Sequence, residues 1–341
     1  MSAIMKKAFS NENWSKAADQ YERSAGAFVS FWANDALHFA HQRVLDVAES
    51  RVGSATFVDV GCGTGILCLA FAEKYLAPKP ARVAITNAEK SLQATQIVAT
   101  DLADGMLAYV DDKLDNIPHF QQYRSQIKTM QMDGQLLDKL EDDSADIVGS
   151  SFGLSIFPDR EKAWRSAARV LRDGGLLFAT VWDAQSPNLI MIDGCAKLAH
   201  EAQLAKTPAV DTDSREAPRR FVSPSAKIGQ DSIADELKAA GFRDIEMYRT
   251  RHSVMSSSPS LFVTSMVDNP GFSGFVELAG RECLEDYLYS VLAADGGFAT
   301  DLENERHGSP PSFDELKKST RPVTLDFIGH VIIASKSASS R

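Results

Sequence analysis

The residues most able to do chemistry form one run, Val58-Asp59-Val60-Gly61-Cys62-Gly63-Thr64-Gly65, in which three glycines alternate with other residues just after a short apolar stretch. Glycines at such a bend let the chain turn sharply and let a ligand touch the backbone with no side chain between them. Two phosphate-binding readings fail on spacing. A dinucleotide loop needs a glycine at position 66, where Ile66 stands, and an acid about 20 residues further on. The next acid at a strand end is Asp101, 36 residues past Gly65. A P-loop needs Gly-Lys-Ser/Thr, which does not follow. Asp59, just before the bend, is unsuited to a pyrophosphate and well suited to an ammonium group, so the loop fits a ligand with a cationic end and a nucleoside end. Asp59 could equally hold the loop by accepting backbone amides.

Asp59 through Gly65 matches the pattern (D/E)xGxGxG, and on it the chain resembles the class I S-adenosylmethionine-dependent methyltransferases. Later segments are similar to the small-molecule branch that includes quinone-biosynthesis type enzymes: IVATDLADGML at 97–107, Met132-Asp133-Gly134-Gln135, and SSFGLSIFPDREKAWRSAARVLRDGGLLFATVW at 150–182. The resemblance is close over residues 55–183 and loose over 230–250 and the last strand. It implies S-adenosyl-L-methionine as cofactor, S-adenosyl-L-homocysteine as product, and a cofactor site made of Tyr21, Asp59, Gly61, Cys62, Gly63, Gly65, Asp101, Leu102, Met106, Asp133, Gly134 and Ser151. Within that set Asp101 takes the ribose hydroxyls, Asp133 meets the adenine amino group, and Tyr21 rides on an amino-terminal helix that closes over the cofactor. One departure stands out. Between Ala77 and Gln96 the chain has about twenty residues more than a compact connection needs. If Val83–Thr86 is the second strand, Glu89 becomes the ribose acid; the longer surrounding match favours Asp101.

Other candidates carry less. Phe152 and Trp182 stand at the carboxyl ends of strands, where open parallel sheets bind ligands, and are candidate substrate contacts or plain core. His252 and His307 are weak candidates for a base. His38 and His41, three apart on a presumed helix, lack a third ligand at convincing spacing, and no metal is expected. After strand four the chain reads Ser150-Ser151-Phe152-Gly153, without the Asn/Asp-Pro-Pro-aromatic signature of enzymes that methylate adenine or amide nitrogens, which argues against DNA or protein glutamine as substrate.

The elements that position these residues follow from periodicity. Residues 11–50 carry helical spacing from Trp14 to Ala48, read as two or three amphipathic helices. Thr56–Val60 is a strand, and a helix from Thr64 is stopped by Pro78. Strands near 97–100, 127–132, 147–151 and 176–182 alternate with helices near 103–114 and 159–172. A helix at about 230–240 ends at Gly241 before a strand through Ile245 and Met247, and a last strand runs from Val323 to Ala334. The expected fold is α/β, a doubly wound, mostly parallel seven-stranded sheet of Rossmann-like methyltransferase type, with amino-terminal helices and an inserted helical cap. The expected division is an amino-terminal helical lid at 1–50, a core at 51–254 with an irregular insertion at 186–226, a helical cap at 255–320, and the last strand and a frayed tail at 321–341.

Composition narrows the function. The 341 residues carry 36 Lys and Arg against 46 Asp and Glu, a formal charge of −10, and 44% are apolar. That supports a large core and disfavours a nucleic-acid partner. No apolar run reaches the ~18–20 residues of a membrane span and no signal-type segment opens the chain, so neither membrane nor secretion is expected. The four scattered cysteines suit reduced thiols in the cytoplasm, with no disulfide or structural zinc. The reading is a cytoplasmic enzyme methylating an O, N or C nucleophile of a small metabolite held between the sheet and a cap formed by 1–50 and 186–320. The alternative is a catalytically silent cofactor-binding regulatory or scaffolding subunit. Oligomeric state is left open.

Overall fold

The computed structural model describes residues 11–51, 53–78, 86–206, 230–294 and 312–338. Seven strands, β1 Thr56–Val60, β2 Gln96–Asp101, β3 Ile127–Gln131, β4 Ala145–Ser151, β5 Leu171–Trp182, β6 Phe242–Ser256 and β7 Val323–Lys336, form one sheet in the order β3-β2-β1-β4-β5-β7-β6. β1 runs parallel to β2 and β4, β2 to β3, and β4 to β5, while β7 is antiparallel to β5. The winding reverses between β1 and β4, and in open α/β sheets the crevice at the carboxyl ends of such a pair is where ligands bind.

The strands form here because both sheet faces are covered. Phe57 belongs to one core cluster, with Leu67, Phe71, Ile97, Val110 and Phe178, and its neighbour Val58 to another, with Val148, Trp164, Leu177 and Ala179. Successive residues of a strand point to opposite faces, so a strand buried on both sides reads as a continuous apolar run. Phe57 stacks on Phe71 at 4.2 Å between ring centres and on Phe178 at 5.7 Å, tying β1 to the Ile66–Tyr75 helix and to β5. At the opposite end of the sheet Asp146, 2% exposed, accepts the Thr56 N–H at 2.8 Å and pairs with Arg172 at 2.7 Å and with Arg51.

The structure departs from the expected elements in several places. The first half of the stretch expected to be irregular, 186–226, is a helix, Pro187–Lys206. β5 starts at Leu171, ahead of the apolar run, because the ladder is interrupted between Ala145–Leu171 and Ile147–Leu176 and the chain bends at Gly174, whose φ is +73°. β6 continues to Ser256 as an edge strand with alternating exposure. His38 and His41 do not share a helix: the Ala27–Phe39 helix ends at Ala40, the next spans His41–Glu49, and His41 Nδ1 lies 3.1 Å from the Tyr75 hydroxyl.

Among the described residues the chain divides into two compact units, one containing 11–182, 230–250 and 329–338, the other 183–206, 251–294 and 312–328. The first holds the core of the sheet and the glycine loop. The second is largely helical: Pro187–Lys206 packs against Ser273–Ala279 and Arg281–Ala294. Among the described residues no helix is long and apolar enough to cross a membrane.

Candidate functional site

β1 delivers Asp59 and Val60 to the bend, and Gly61, Gly63 and Gly65 take φ values of +67°, +53° and +92°. That left-handed region is strained for any side chain, which is why the loop alternates glycine. β2 fixes the loop from the side. Its Thr100 carbonyl accepts the Cys62 N–H at 2.9 Å, and Asp101, the last β2 residue, accepts the Gly63 N–H through Oδ2 at 2.9 Å. The other carboxylate oxygen of Asp101 accepts the Ala103 N–H at 2.9 Å. Burial raises the Asp101 carboxyl above the ordinary carboxylate value, against the pull of those backbone amides.

Asp59 lies beneath the loop with no exposure, and its Oδ2 accepts the Cys68 N–H at 2.9 Å. It thereby caps the Ile66–Tyr75 helix, whose own N-cap, Gly65, has no side chain to do so. The loop-holding role is therefore realised. Asp59 Oδ1 is buried with no hydrogen-bond partner among the described residues. Burial is the main reason its carboxyl is pushed up to about 7; the Cys68 amide opposes the shift and the nearby Asp101 charge adds to it. Cys62 is buried, and desolvation drives its thiol well above the ordinary value.

Asp101 rather than Glu89 stands at the end of the strand beside β1. Glu89 closes a capping box with Thr86 at the start of the Asn87–Gln93 helix, its carboxylate accepting the Thr86 N–H at 2.7 Å. Residues 79–85, which include most of the alternative strand, lie outside the described residues, as does His307. Beyond Asp101, Leu102 is 42% exposed, whereas Met106 is buried with Ala18 and Ala103. Asp133 turns back on Gln135, accepting its backbone N–H at 2.8 Å and its side-chain amide at 3.0 Å. Gly134 is pressed so close to Phe157 that a Cβ there would lie 2.5 Å from its ring.

The ends of β4 and β5 meet in an aromatic cluster. Phe152 has a φ of +62°, strained for a bulky residue, and its N–H is held by the Thr180 carbonyl at 3.1 Å and hydroxyl at 3.0 Å. The Ser151 and Thr180 hydroxyls are 3.5 Å apart. Phe152 stacks on Trp182 with ring centres at 3.9 Å and planes 14° apart, and Trp32 stands edge-on to both at 5.8 and 5.1 Å. Tyr21, carried by the Ala18–Tyr21 helix, lies over the loop, its ring 3.8 Å from where a Gly63 Cβ would project. Burial and the charges of Asp101 and Glu22 raise its phenol above the ordinary value. His252 lies on β6 in the other compact unit.

Structure thus brings Tyr21, the glycine loop and Asp101 together, and places Asp133 with Gly134, and Phe152 with Trp182, at neighbouring strand ends. The sequence reading missed Phe157, which lies against both Gly61 and Gly134, and Thr180, which holds Phe152. Trp32 counted there only within the helical spacing of 11–50. An aromatic four residues past Gly153 and a hydroxyl two before Trp182 are faint signals that only the fold makes legible.

The left-handed glycines, a strand-end carboxylate against the loop, and a buried negative group beneath it suit a nucleoside with a cationic amino-acid end. Comparison with known proteins agrees. Residues 10–257 match the model of the ubiE/COQ5 methyltransferase family. The ubiquinone/menaquinone biosynthesis C-methyltransferase UbiE of Citrobacter koseri is 27% identical over 237 residues, 65% of this chain and 82% of that protein. Its counterpart from Salmonella newport is 26% identical over the same shares. Among solved structures, the YcgJ protein of Bacillus subtilis superposes with a TM-score of 0.50 at 15% identity, covering 89% of this chain and all of that one, which supports the fold.

Proposed function

The chain belongs to the ubiE/COQ5 methyltransferase family and is an S-adenosylmethionine-dependent methyltransferase, and from that premise we propose that it methylates carbon on a small ring-bearing metabolite. The choice of carbon comes from the curated relatives, which are named as C-methyltransferases. The cysteine pattern supports a place in the cytosol.

When bound, S-adenosylmethionine supplies an electrophilic methyl group on a sulfonium. This chain's residues hold and orient it. The backbone of Gly61–Gly65 approaches the amino-acid end, the lone pairs of Asp101 not used by Gly63 and Ala103 accept from the ribose hydroxyls, and the Asp133–Gly134 turn meets the base. Phe152 and Trp182, braced by Trp32, offer an apolar wall to a planar acceptor and exclude water. Aromatic faces near a sulfonium add cation–π attraction of roughly 0.5–2 kcal/mol. Because the departing thioether is neutral, it needs no strong acid, and most of the acceleration comes from orientation.

The observation that carries the reading is the 2.9 Å hydrogen bond from the Gly63 N–H to Asp101, which joins the loop to the strand-end acid. The reading is tested by incubating the protein with metabolite extract and deuterated-methyl cofactor. The expected outcome is a ring-bearing product about 3 Da heavier than its unlabelled-methyl counterpart, one CD3 in place of CH3, with NMR placing the new methyl on a ring carbon. A methyl found on oxygen or nitrogen would move the acceptor there, and no labelled product would remove the catalytic assignment.

A further inference from the structure

The segment 11–26 is tied to the glycine loop by a partly buried ionic link that binding alone does not require. Tyr21 and Glu22 are consecutive, at the junction between the Ala18–Tyr21 helix and a five-residue π-helical turn, Glu22–Gly26. Wide turns of this kind recur at functional sites, where the extra residue redirects side chains. Here Tyr21 goes over Gly63, and Glu22 reaches past it. The Glu22 carboxylate accepts from the Thr64 hydroxyl at 2.5 Å through Oε2 and from the Lys113 ammonium at 2.6 Å through Oε1. Lys113 also donates to the Thr64 carbonyl at 3.0 Å. Thr64, fully buried, sits between Gly63 and Gly65, and Lys113 comes from the last turn of the Asp104–Asn116 helix. Three elements that meet at the loop are thus closed into one triangle.

The segment is also held by apolar packing of Ala18, Trp14 and Tyr21 against Ala103 and Met106, and by polar contacts of a weaker kind. Ser15 donates to Asp104 at 2.6 Å and accepts from the Gly105 N–H at 3.1 Å, close to the surface. By contrast the Lys113 and Glu22 side chains are 12% and 28% exposed, so water and salt screen their pairing less. The Tyr21 ring, 3.8 Å from where a Gly63 Cβ would project, would lie over a molecule seated on the loop.

We propose that Glu22 and Lys113 are positioning residues that latch residues 11–26 onto Thr64 of the glycine loop, and that breaking this latch sets the rate at which cofactor and demethylated product exchange. The proposal rests on the reading that the loop takes the cofactor. It assigns the pair to release, and leaves the reacting atoms to other residues.

The test uses the full-length protein loaded with S-adenosylhomocysteine, chased with excess S-adenosylmethionine and followed by rapid mixing. Glu22→Gln and Lys113→Met are each expected to speed release about tenfold, the scale of one charge-assisted link. The double variant is expected to release no faster than either single one, because one link is being removed, and the charge-swapped E22K/K113E protein is expected to slow release again. Hydrogen exchange in the ligand-free protein reads the latch independently: amides 11–22 should lose protection in the single variants and regain it in the swap. Unchanged release and protection in Glu22→Gln, or additive effects in the double variant, overturn the proposal. Wild-type protein that binds neither nucleoside overturns the cofactor reading, and the release role with it, even where the exchange data show the latch.

Discussion

Two aspartates near the loop do different work, and their environments say which. Asp101 keeps lone pairs beyond its two backbone contacts; with these on the ribose hydroxyls, as proposed, Asp101→Ala should weaken S-adenosylmethionine binding by about 2 kcal/mol, measured by calorimetry, through the loss of two charge-assisted hydrogen bonds. Undiminished affinity would take the ribose contact away from it. Asp59 is sealed beneath the loop, and its carboxyl is pushed from an ordinary 3.8 up to about 7. A raised acid stabilises the fold below its unfolded value and loses that contribution as pH climbs through the folded one. In the cofactor-free protein, stability should therefore fall between about pH 4 and pH 7 by up to roughly 4 kcal/mol from this residue. Urea unfolding across that range checks it: Asp59→Asn should flatten the slope, and an equally steep slope in the variant would assign it elsewhere.

Among the elements, the β1 bend and the β4 end are two places where backbone conformation is costly. Gly63→Ala puts a side chain at a φ of +53° under Tyr21, and should cost about 1 kcal/mol in thermal unfolding while weakening cofactor binding more than it weakens the fold. Phe152→Leu keeps the backbone strain and removes the ring stacked on Trp182. Steady-state kinetics should show a lower kcat/KM for the acceptor with cofactor affinity unchanged; a change confined to cofactor affinity would move Phe152 to the other side of the site. The bend was readable in advance because three alternating glycines after an apolar run have few other uses. Met132-Asp133-Gly134 was readable only by resemblance, since a lone acid in a turn carries no periodic signal. Glu22 was not readable at all: its partners lie 42 and 91 positions away, and no local pattern records a contact at that range.

Across the whole molecule, the alternation of strands and helices over 56–182 gave away the doubly wound sheet, because a parallel strand buried on both faces leaves an unbroken apolar signature. The antiparallel direction of β7 is less legible, since a buried strand gives the same apolar run in either direction, and so is the long edge strand β6, whose exposure alternates. The two ends of the sheet differ: one carries the proposed ligand site, the other holds the fold. Asp146, paired with Arg51, Arg172 and the Thr56 amide, belongs to the second, and Asp146→Ala should cost about 1–3 kcal/mol in chemical denaturation by taking the acceptor from the Thr56 N–H, while the part-exposed arginines turn to water. The variant should still bind cofactor where it is folded. In the helical unit Gly194 faces the Tyr287 ring so closely that an added Cβ would lie 1.8 Å from its hydroxyl and 2.0 Å from its Cζ; Gly194→Ala should lower the thermal midpoint.

The most direct examination of the central claim is a crystal structure of the protein with S-adenosylhomocysteine. The account predicts the amino-acid end against the backbone of Gly61–Gly65 and both ribose hydroxyls at hydrogen-bonding distance from Asp101, under the ring of Tyr21. Nucleoside bound elsewhere, with the Asp101 carboxylate still facing only Gly63 and Ala103, would contradict it.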